Sequence, residues 1–261
     1  MKVAIVGVGG VGAAHLVAAS RIGAEVVAVI DTDQDTLDRF SHKWENRWES
    51  VVETGVPQAG TRYLKVFPER LDVDITILAT PPHTHAALLA QALEATKARD
   101  GHVIVEKPLT ITTLDWSTID RASMCAEWIH HPELSIKDGT TSIGMCFKEA
   151  HTTDWGYKLS LEEDFLPHLL SILHASGRRA EDIQVQVSTN DLLRVIFTDE
   201  SGERMLCWGR RKGGSGLFVG AQCLDWHPDL FDRQLLLGRG IPILDAWKWE
   251  RLIEADREVE K

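Results

Sequence analysis

The stretch that decides the fold comes first: Lys2-Val3-Ala4-Ile5-Val6-Gly7-Val8-Gly9-Gly10-Val11-Gly12. Its opening is a short apolar run that suits a strand buried on both faces. Gly9 to Gly12 then open a helical stretch through Arg21. The three spaced glycines have separate tasks. Gly7 allows the sharp turn off the strand, Gly9 lets a pyrophosphate approach the backbone, and Gly12 lets the helix pack close to the sheet. The new helix offers free N–H groups and a positive dipole end to phosphates. Val8, Gly10 and Val11 complete the predicted phosphate loop. A second β-branched run, residues 24–30, ends on Asp31. A carboxylate there accepts hydrogen bonds from both adenosine ribose hydroxyls and repels a 2′-phosphate. The pattern therefore predicts NAD as cofactor, with NADP disfavoured.

Working outward, the alternation continues. Asp33 to about Glu53 reads as a helix, Asp74–Ala79 as a strand cut off by Pro81-Pro82, Thr84–Lys97 as a helix, and His102–Val105 as a strand stopped by Pro108. Strands alternating with helices imply βαβ units and a doubly wound parallel sheet, an α/β class. After residue 110 the rhythm changes. Leu114–His130 reads as one amphipathic helix, Thr141–Phe147 as a strand and Leu161–Ala175 as a helix. Three strands follow, at Ile183–Ser188, Leu192–Thr198 and Arg204–Trp208, with a hairpin turn at Asp199–Gly202 between the last two. Consecutive strands without helices predict a smaller α+β domain with a mainly antiparallel sheet. The expected division is a Rossmann domain over 1–110 and a substrate and oligomerisation domain over 111–261. A closing helix over 244–258 is expected to pack back on the first domain.

The bulk properties narrow the function. Of 261 residues, 44% are hydrophobic and 26% charged, which suits a globular chain with a core. A formal charge of −11 argues against binding nucleic acid through its phosphates. The four cysteines form no CxxC pair and fit no zinc framework, so no metal is expected. No apolar run is long enough to span a bilayer, and the chain starts directly on a strand pattern. These features lead us to expect a cytoplasmic protein without membrane contact.

Two further motifs name a family. Ala79-Thr80-Pro81-Pro82-His83-Thr84-His85 follows one strand, and Val105-Glu106-Lys107-Pro108 ends the next. With the glycine loop, these resemble the glucose–fructose oxidoreductase, inositol dehydrogenase and rhizopine catabolism (Gfo/Idh/MocA) superfamily. The resemblance implies that Thr80, Pro81, His85 and Glu106 lie against the cofactor. It also implies that Lys107 sits beside nicotinamide and substrate, and that the Lys107–Pro108 peptide is cis. Physically, a lysine at a strand's carboxyl end can polarise a substrate oxygen as charge changes during hydride transfer.

The family's second signature is an Asp and a His four residues apart, matched by Asp164 and His168. On a helix these share one face. His168 has the intrinsic chemistry to take a hydroxyl proton as hydride leaves, with Asp164 orienting it or binding substrate. Pro167, directly before His168, suggests that the helix starts there. The chain is shorter than members of this superfamily, and the shortage falls between about Phe147 and Trp155. The expected function is hydride transfer between NAD and a hydroxyl or carbonyl carbon of a small polar substrate, such as a sugar, polyol or sugar derivative. The expected assembly is a homo-oligomer through the C-terminal sheet. The alternative is a non-catalytic NAD-binding sensor or assembly protein.

Overall fold

The computed structural model describes residues 1–46, 53–109, 119–136, 140, 142–146, 160–189, 191–211, 216–225, 230–237 and 240–242. In chain order these contain β1 (Lys2–Val6), α1 (Gly10–Arg21), β2 (Glu25–Ile30), α2 (Gln34–His42), β3 (Trp44–Asn46), β4 (Glu53–Gly55), β5 (Arg62–Leu64), β6 (Ile75–Leu78), α3 (His85–Ala95), β7 (His102–Val105) and β8 (Ala122–Met124). They continue with β9 (Ser142–Cys146), α4 (Leu161–Ala175), β10 (Ala180–Ser188), β11 (Leu192–Asp199), β12 (Arg204–Arg210), β13 (Gly216–Val219), β14 (Gln222–Asp225), α5 (Leu230–Leu237) and β15 (Ile241–Pro242). The chain forms two compact units: residues 1–125 with 229–244, and residues 126–228 with 245–261.

The first unit holds a seven-stranded sheet in the order β15-β8-β7-β6-β1-β2-β5. Its strands from β5 through β8 run parallel, and β15 lies antiparallel at the edge. Apart from that edge strand, the order is that of a six-stranded dinucleotide-binding sheet. Val3, Ala4 and Ile5 of β1, Ile77 and Leu78 of β6, and Val103 to Val105 of β7 are all buried. This is why these strands read as continuous apolar runs rather than as alternating patterns. Helix α1 contacts β1, β2, β6 and α5, while α3 lies on β6 and β7.

Two predicted helices are corrected here. The helix expected over Asp33–Glu53 ends at His42. Lys43 turns extended, and Trp44, fully buried, starts a small β3–β4 hairpin. The long helix expected over Leu114–His130 is not formed in its described part. Ala122–Met124 is instead a buried strand, paired with Val103–Val105 of β7, and Glu127–His130 is a single 3-10 turn. A short buried apolar run carries no periodicity that separates strand from helix, and pairing with β7 decides it. That pairing also carries the first unit past residue 110 to Cys125. The segment returning to the first unit is α5 with β15. The closing helix predicted over 244–258 lies outside the described residues.

The second unit holds a six-stranded sheet in the order β10-β11-β12-β9-β13-β14, antiparallel except where β12 runs beside β9. Helix α4 covers one face of it. Its fully buried Phe165 stands over Gly209, where a Cβ would come within 2.5 Å of that ring. On the opposite face Ile196, Leu206, Trp208 and Phe218 are half-buried, with the last two rings 5.1 Å apart.

Helix α4 occupies the predicted span, yet it does not start at Pro167. It starts at Leu161 because Ser160 and Glu163 form a reciprocal capping box: Glu163 N–H donates to Ser160 Oγ (3.2 Å), and Ser160 N–H donates to Glu163 Oε2 (2.8 Å). Pro167 therefore sits inside the helix, where it removes one backbone donor. Ser160→Ala is expected to cost about 1 kcal/mol. In a thermal melt this reads as a midpoint lowered by roughly 2–4 °C.

Candidate functional site

Register places the site. Val6 pairs with Ile30 and with Leu78, and Leu78 pairs with Val105. The next residue on each strand is therefore Gly7, Asp31, Ala79 and Glu106. These four positions line one edge, the carboxyl ends of β1, β2, β6 and β7. The order changes direction between β1 and β6, the crevice where doubly wound sheets bind ligands.

The glycine loop is built for close approach. Gly7 has φ +80, and a Cβ there would meet Ala79 O at 2.6 Å. A Cβ on Gly12 would collide with Gly7 O. Both glycines are thus needed by the fold. Gly9 differs, because a Cβ there would meet nothing within 4 Å among the described residues. Its freedom matters to a ligand rather than to the protein. Gly9 is the N-cap of α1 and provides no side-chain cap, so the first-turn N–H groups of Gly10, Val11 and Gly12 face the crevice as donors for phosphate. This arrangement fits a pyrophosphate.

Asp31 does two tasks. Its Oδ2 accepts from Val8 N–H (2.9 Å) and its Oδ1 from Asp33 N–H (3.0 Å), so it pins the loop while each oxygen keeps a further lone pair. Across the crevice, Thr84 Oγ1 donates to the Pro81 carbonyl and lies 2.7 Å from Thr80 Oγ1. His85 is fully buried and bridges two loops, with Nε2 2.8 Å from Thr80 O and Nδ1 3.1 Å from Pro108 O. Burial holds its ring below the ordinary imidazole range, so a neutral ring donates to one carbonyl at a time. The Lys107–Pro108 peptide is cis.

Sequence reasoning missed His15. It lies on α1, fully buried, with Nε2 2.7 Å from Glu106 Oε1. The other carboxylate oxygen, Oε2, accepts from Lys107 N–H at 3.2 Å. Burial works to raise the Glu106 pKa. Hydrogen bonds from His15 and Cys125 and the charge of Lys107 outweigh it, leaving the carboxyl below the usual carboxylate range. One ligand atom each from His15, Glu106 and Cys125 lies within 4.8 Å of the others. The direct 2.7 Å contact is of hydrogen-bond length. Two ligands of a tetrahedral zinc would stand roughly 3.3 Å apart. We therefore read the cluster as hydrogen-bonded. The only sequence signal was a histidine within an apolar stretch of Ala, Leu and Val.

The remaining two predicted residues belong to the second unit. Asp164 and His168 lie one turn apart on α4, with His168 buried. Asp164 Oδ2 accepts from Arg211, just beyond β12, at 3.4 Å. Arg211, itself buried, is a second residue the sequence did not reveal. The segments 147–159, 212–215 and 226–229, which carry His151, Asp154, Trp155, Lys212-Gly213-Gly214-Ser215 and Trp226-His227, lie outside the described residues.

The first unit is thus a dinucleotide-binding domain with a charged pair at its chemical end. Residues 1–127 match the family described as "Oxidoreductase family, NAD-binding Rossmann fold", GFO_IDH_MocA. The likeness to the Gfo/Idh/MocA family thus rests on the first 127 of the 261 residues. It is 32% identical over 126 residues to a glycosyl hydrolase family 109 protein of Shewanella sp. strain W3-18-1, a match that spans 47% of this chain but only 26% of that protein. Among solved structures, the WlbA (WbpB) dehydrogenase of Thermus thermophilus, in complex with NAD and UDP-GlcNAcA, is 17% identical with a TM-score of 0.65, covering 94% of this chain and 91% of that one. A myo-inositol dehydrogenase of Corynebacterium glutamicum is 15% identical with a TM-score of 0.68, covering 99% and 96%. At such identity the likeness shows a shared fold.

Two outcomes follow from this geometry. Gly9→Ala is expected to leave the melting temperature unchanged and to weaken NADH binding about tenfold or more, roughly 1.4 kcal/mol. Gly12→Ala instead costs stability, about 1–3 kcal/mol, by overpacking. NADH fluorescence titration beside thermal melts separates the two. The second outcome concerns pH. The lowered His85 pKa means that the unfolded chain binds the proton more readily. Stability is then fully present above the ordinary imidazole value of about 6.5 and is lost as pH falls towards the folded value. His102, held down by burial and by Arg121, acts in the same sense. Melts between about pH 7 and 5 are expected to decline, and His85→Gln is expected to reduce that slope without abolishing it. Its share is bounded by about 1.4 kcal/mol per pH unit.

Proposed function

We propose that this protein transfers a hydride between NAD and the carbon of a hydroxyl or carbonyl group in a small polar substrate, a sugar, polyol or sugar derivative. The observation that carries this reading is the row of strand ends. The open face of Gly9, the Asp31 carboxylate, and the buried Glu106 with Lys107 next to it lie along one edge of a single sheet. NAD bound there supplies the hydride acceptor or donor. The loop N–H groups hold its pyrophosphate, and Asp31 takes the ribose hydroxyls. Lys107 Nζ polarises the substrate oxygen. An imidazole nitrogen of His168 exchanges the hydroxyl proton, while Asp164, already bonded to Arg211, orients the substrate or the ring. The half-buried apolar face of the second sheet supports self-association as the assembly. The relatives named as glycosyl hydrolases share only the cofactor half, which leaves the bond they act on out of the comparison.

The test is a screen of purified protein over sugars, polyols, UDP-sugars and aryl glycosides, with NAD and NADP compared by the absorbance of reduced nicotinamide. Turnover with NAD on a CH–OH or C=O substrate is expected. Lys107→Ala and His168→Ala should each lower kcat by about 10²–10⁴. Asp31→Ala should erase most of the preference for NAD. Tight NADH binding with no turnover on any member would make the protein a sensor. Unchanged rates in both the Lys107 and His168 variants would sink the residue assignment.

A further inference from the structure

A histidine at full burial on an apolar helix is costly unless its polar atoms are used. Among the described residues, His15 uses one ring nitrogen in a hydrogen bond. Its Nε2 meets Glu106 Oε1 at 2.7 Å, whereas its buried Nδ1 has no hydrogen-bond partner among the described residues. The ring is covered edge-on by Phe231 of α5 at 4.6 Å between centroids. The polar value of the residue thus goes to one carboxylate oxygen, and the other oxygen of that carboxylate holds the Lys107 N–H. Stability alone gives a weak account of the pair, because well-packed apolar side chains of similar volume usually serve a core as well or better. What the pair adds is direction. It links the helix whose N-terminus closes the phosphate loop to the backbone from which Lys107 projects.

We propose that His15 is a positioning residue for Lys107: its ring holds the Glu106 carboxylate, which fixes the Lys107 backbone and supplies the negative field beside the Lys107 ammonium. This rests on the proposed function only in taking Lys107 as the group that meets substrate. The titratable and charged groups around the carboxylate are His15 from α1, Cys125 beyond β8, His85 from α3 and Lys107 from its own loop. Helix α5 contributes Phe231 against His15 and Gln234 beside Cys125, while its Asp232 pairs with Arg21. Attraction between Glu106 and Lys107 is reciprocal: the lysine favours the ionised carboxylate, and the carboxylate favours the ammonium. Without His15, the carboxylate loses the partner that holds Oε1 in place, so the opposing charge is no longer fixed beside Lys107.

The experiment is competitive acetylation with acetic anhydride across a pH series, read lysine by lysine through peptide mass spectrometry, on full-length protein without nucleotide. In His15→Phe and in Glu106→Gln, the labelling midpoint of Lys107 is expected to fall by about one pH unit. The midpoints of Lys43 and Lys97, both exposed, stay in place. A role in packing alone would lower the melting temperature and leave the Lys107 midpoint unmoved, which overturns the proposal. So does a midpoint that moves in Glu106→Gln but not in His15→Phe. Should His15→Phe fail to fold, His15→Asn, too short to reach Glu106, reads the same shift. NADH titration of the same wild-type sample judges the cofactor reading by itself: absence of binding there counts against the proposed function, while the labelling midpoint speaks only to His15.

Discussion

Helix α1 approaches the ends of β1 and β6 so closely that two positions have no room for a Cβ. Gly7 N–H donates to Ile30 O at 2.7 Å as the chain leaves β1, and its left-handed backbone turns the loop under Ala79. Gly12, in the first turn of the helix, sits against Gly7 O. Any side chain at either place pushes α1 off the sheet. The consequences spread along the helix. Its N-terminal N–H groups lose their aim, His15 loses its reach to Glu106, and Arg21 at the other end loses its ion pairs with Asp232 of α5 and Glu53 of β4. One close backbone contact therefore sets where the cofactor's phosphates and the lysine loop stand.

Charge is handled differently at the two ends of the sheet. At the amino ends, Lys2 and Arg99 pair with Asp72, and Arg99 also with Asp74, all substantially exposed. Water weakens such pairs, and salt screens them further. At the carboxyl ends, Glu106 and His15 are buried. There, removal of one partner strands the other in a medium that tolerates it poorly, a cost of about 3–5 kcal/mol. The sheet thus keeps its energetically expensive electrostatics where a ligand binds and its cheap electrostatics where only water is met.

What the sequence revealed follows from range. The glycine loop, Asp31, the strand-end Thr80-Pro81 and the Glu106-Lys107-Pro108 turn are local patterns, legible because their geometry is carried by neighbours in the chain. Helix α4 was bounded correctly at Leu161 and Ala175 for the same reason, although Ser160 and Glu163, rather than Pro167, set its start. Distant partners were silent. His15 meets Glu106 across 91 residues, and Asp164 meets Arg211 across 47. Strand β8 read as helix because its three buried residues take their conformation from β7, and Trp44 left its predicted helix to fill a hairpin. The return of α5 and β15 to the first unit had no local mark.

The Asp164–Arg211 pair changes how the second unit is understood. A carboxylate already accepting from a guanidinium is committed as an acceptor, and its orientation is set by β12 as well as by α4. That suits a residue which orients a hydroxyl or a ring better than one which itself removes a proton. His168, buried one turn further along the helix, is the residue proposed to carry the proton. The division parallels the first unit, where Glu106 is held by His15 and Lys107 is the residue proposed to meet substrate. In both halves a carboxylate fixed by a buried cationic or imidazole partner stands beside the residue proposed to act.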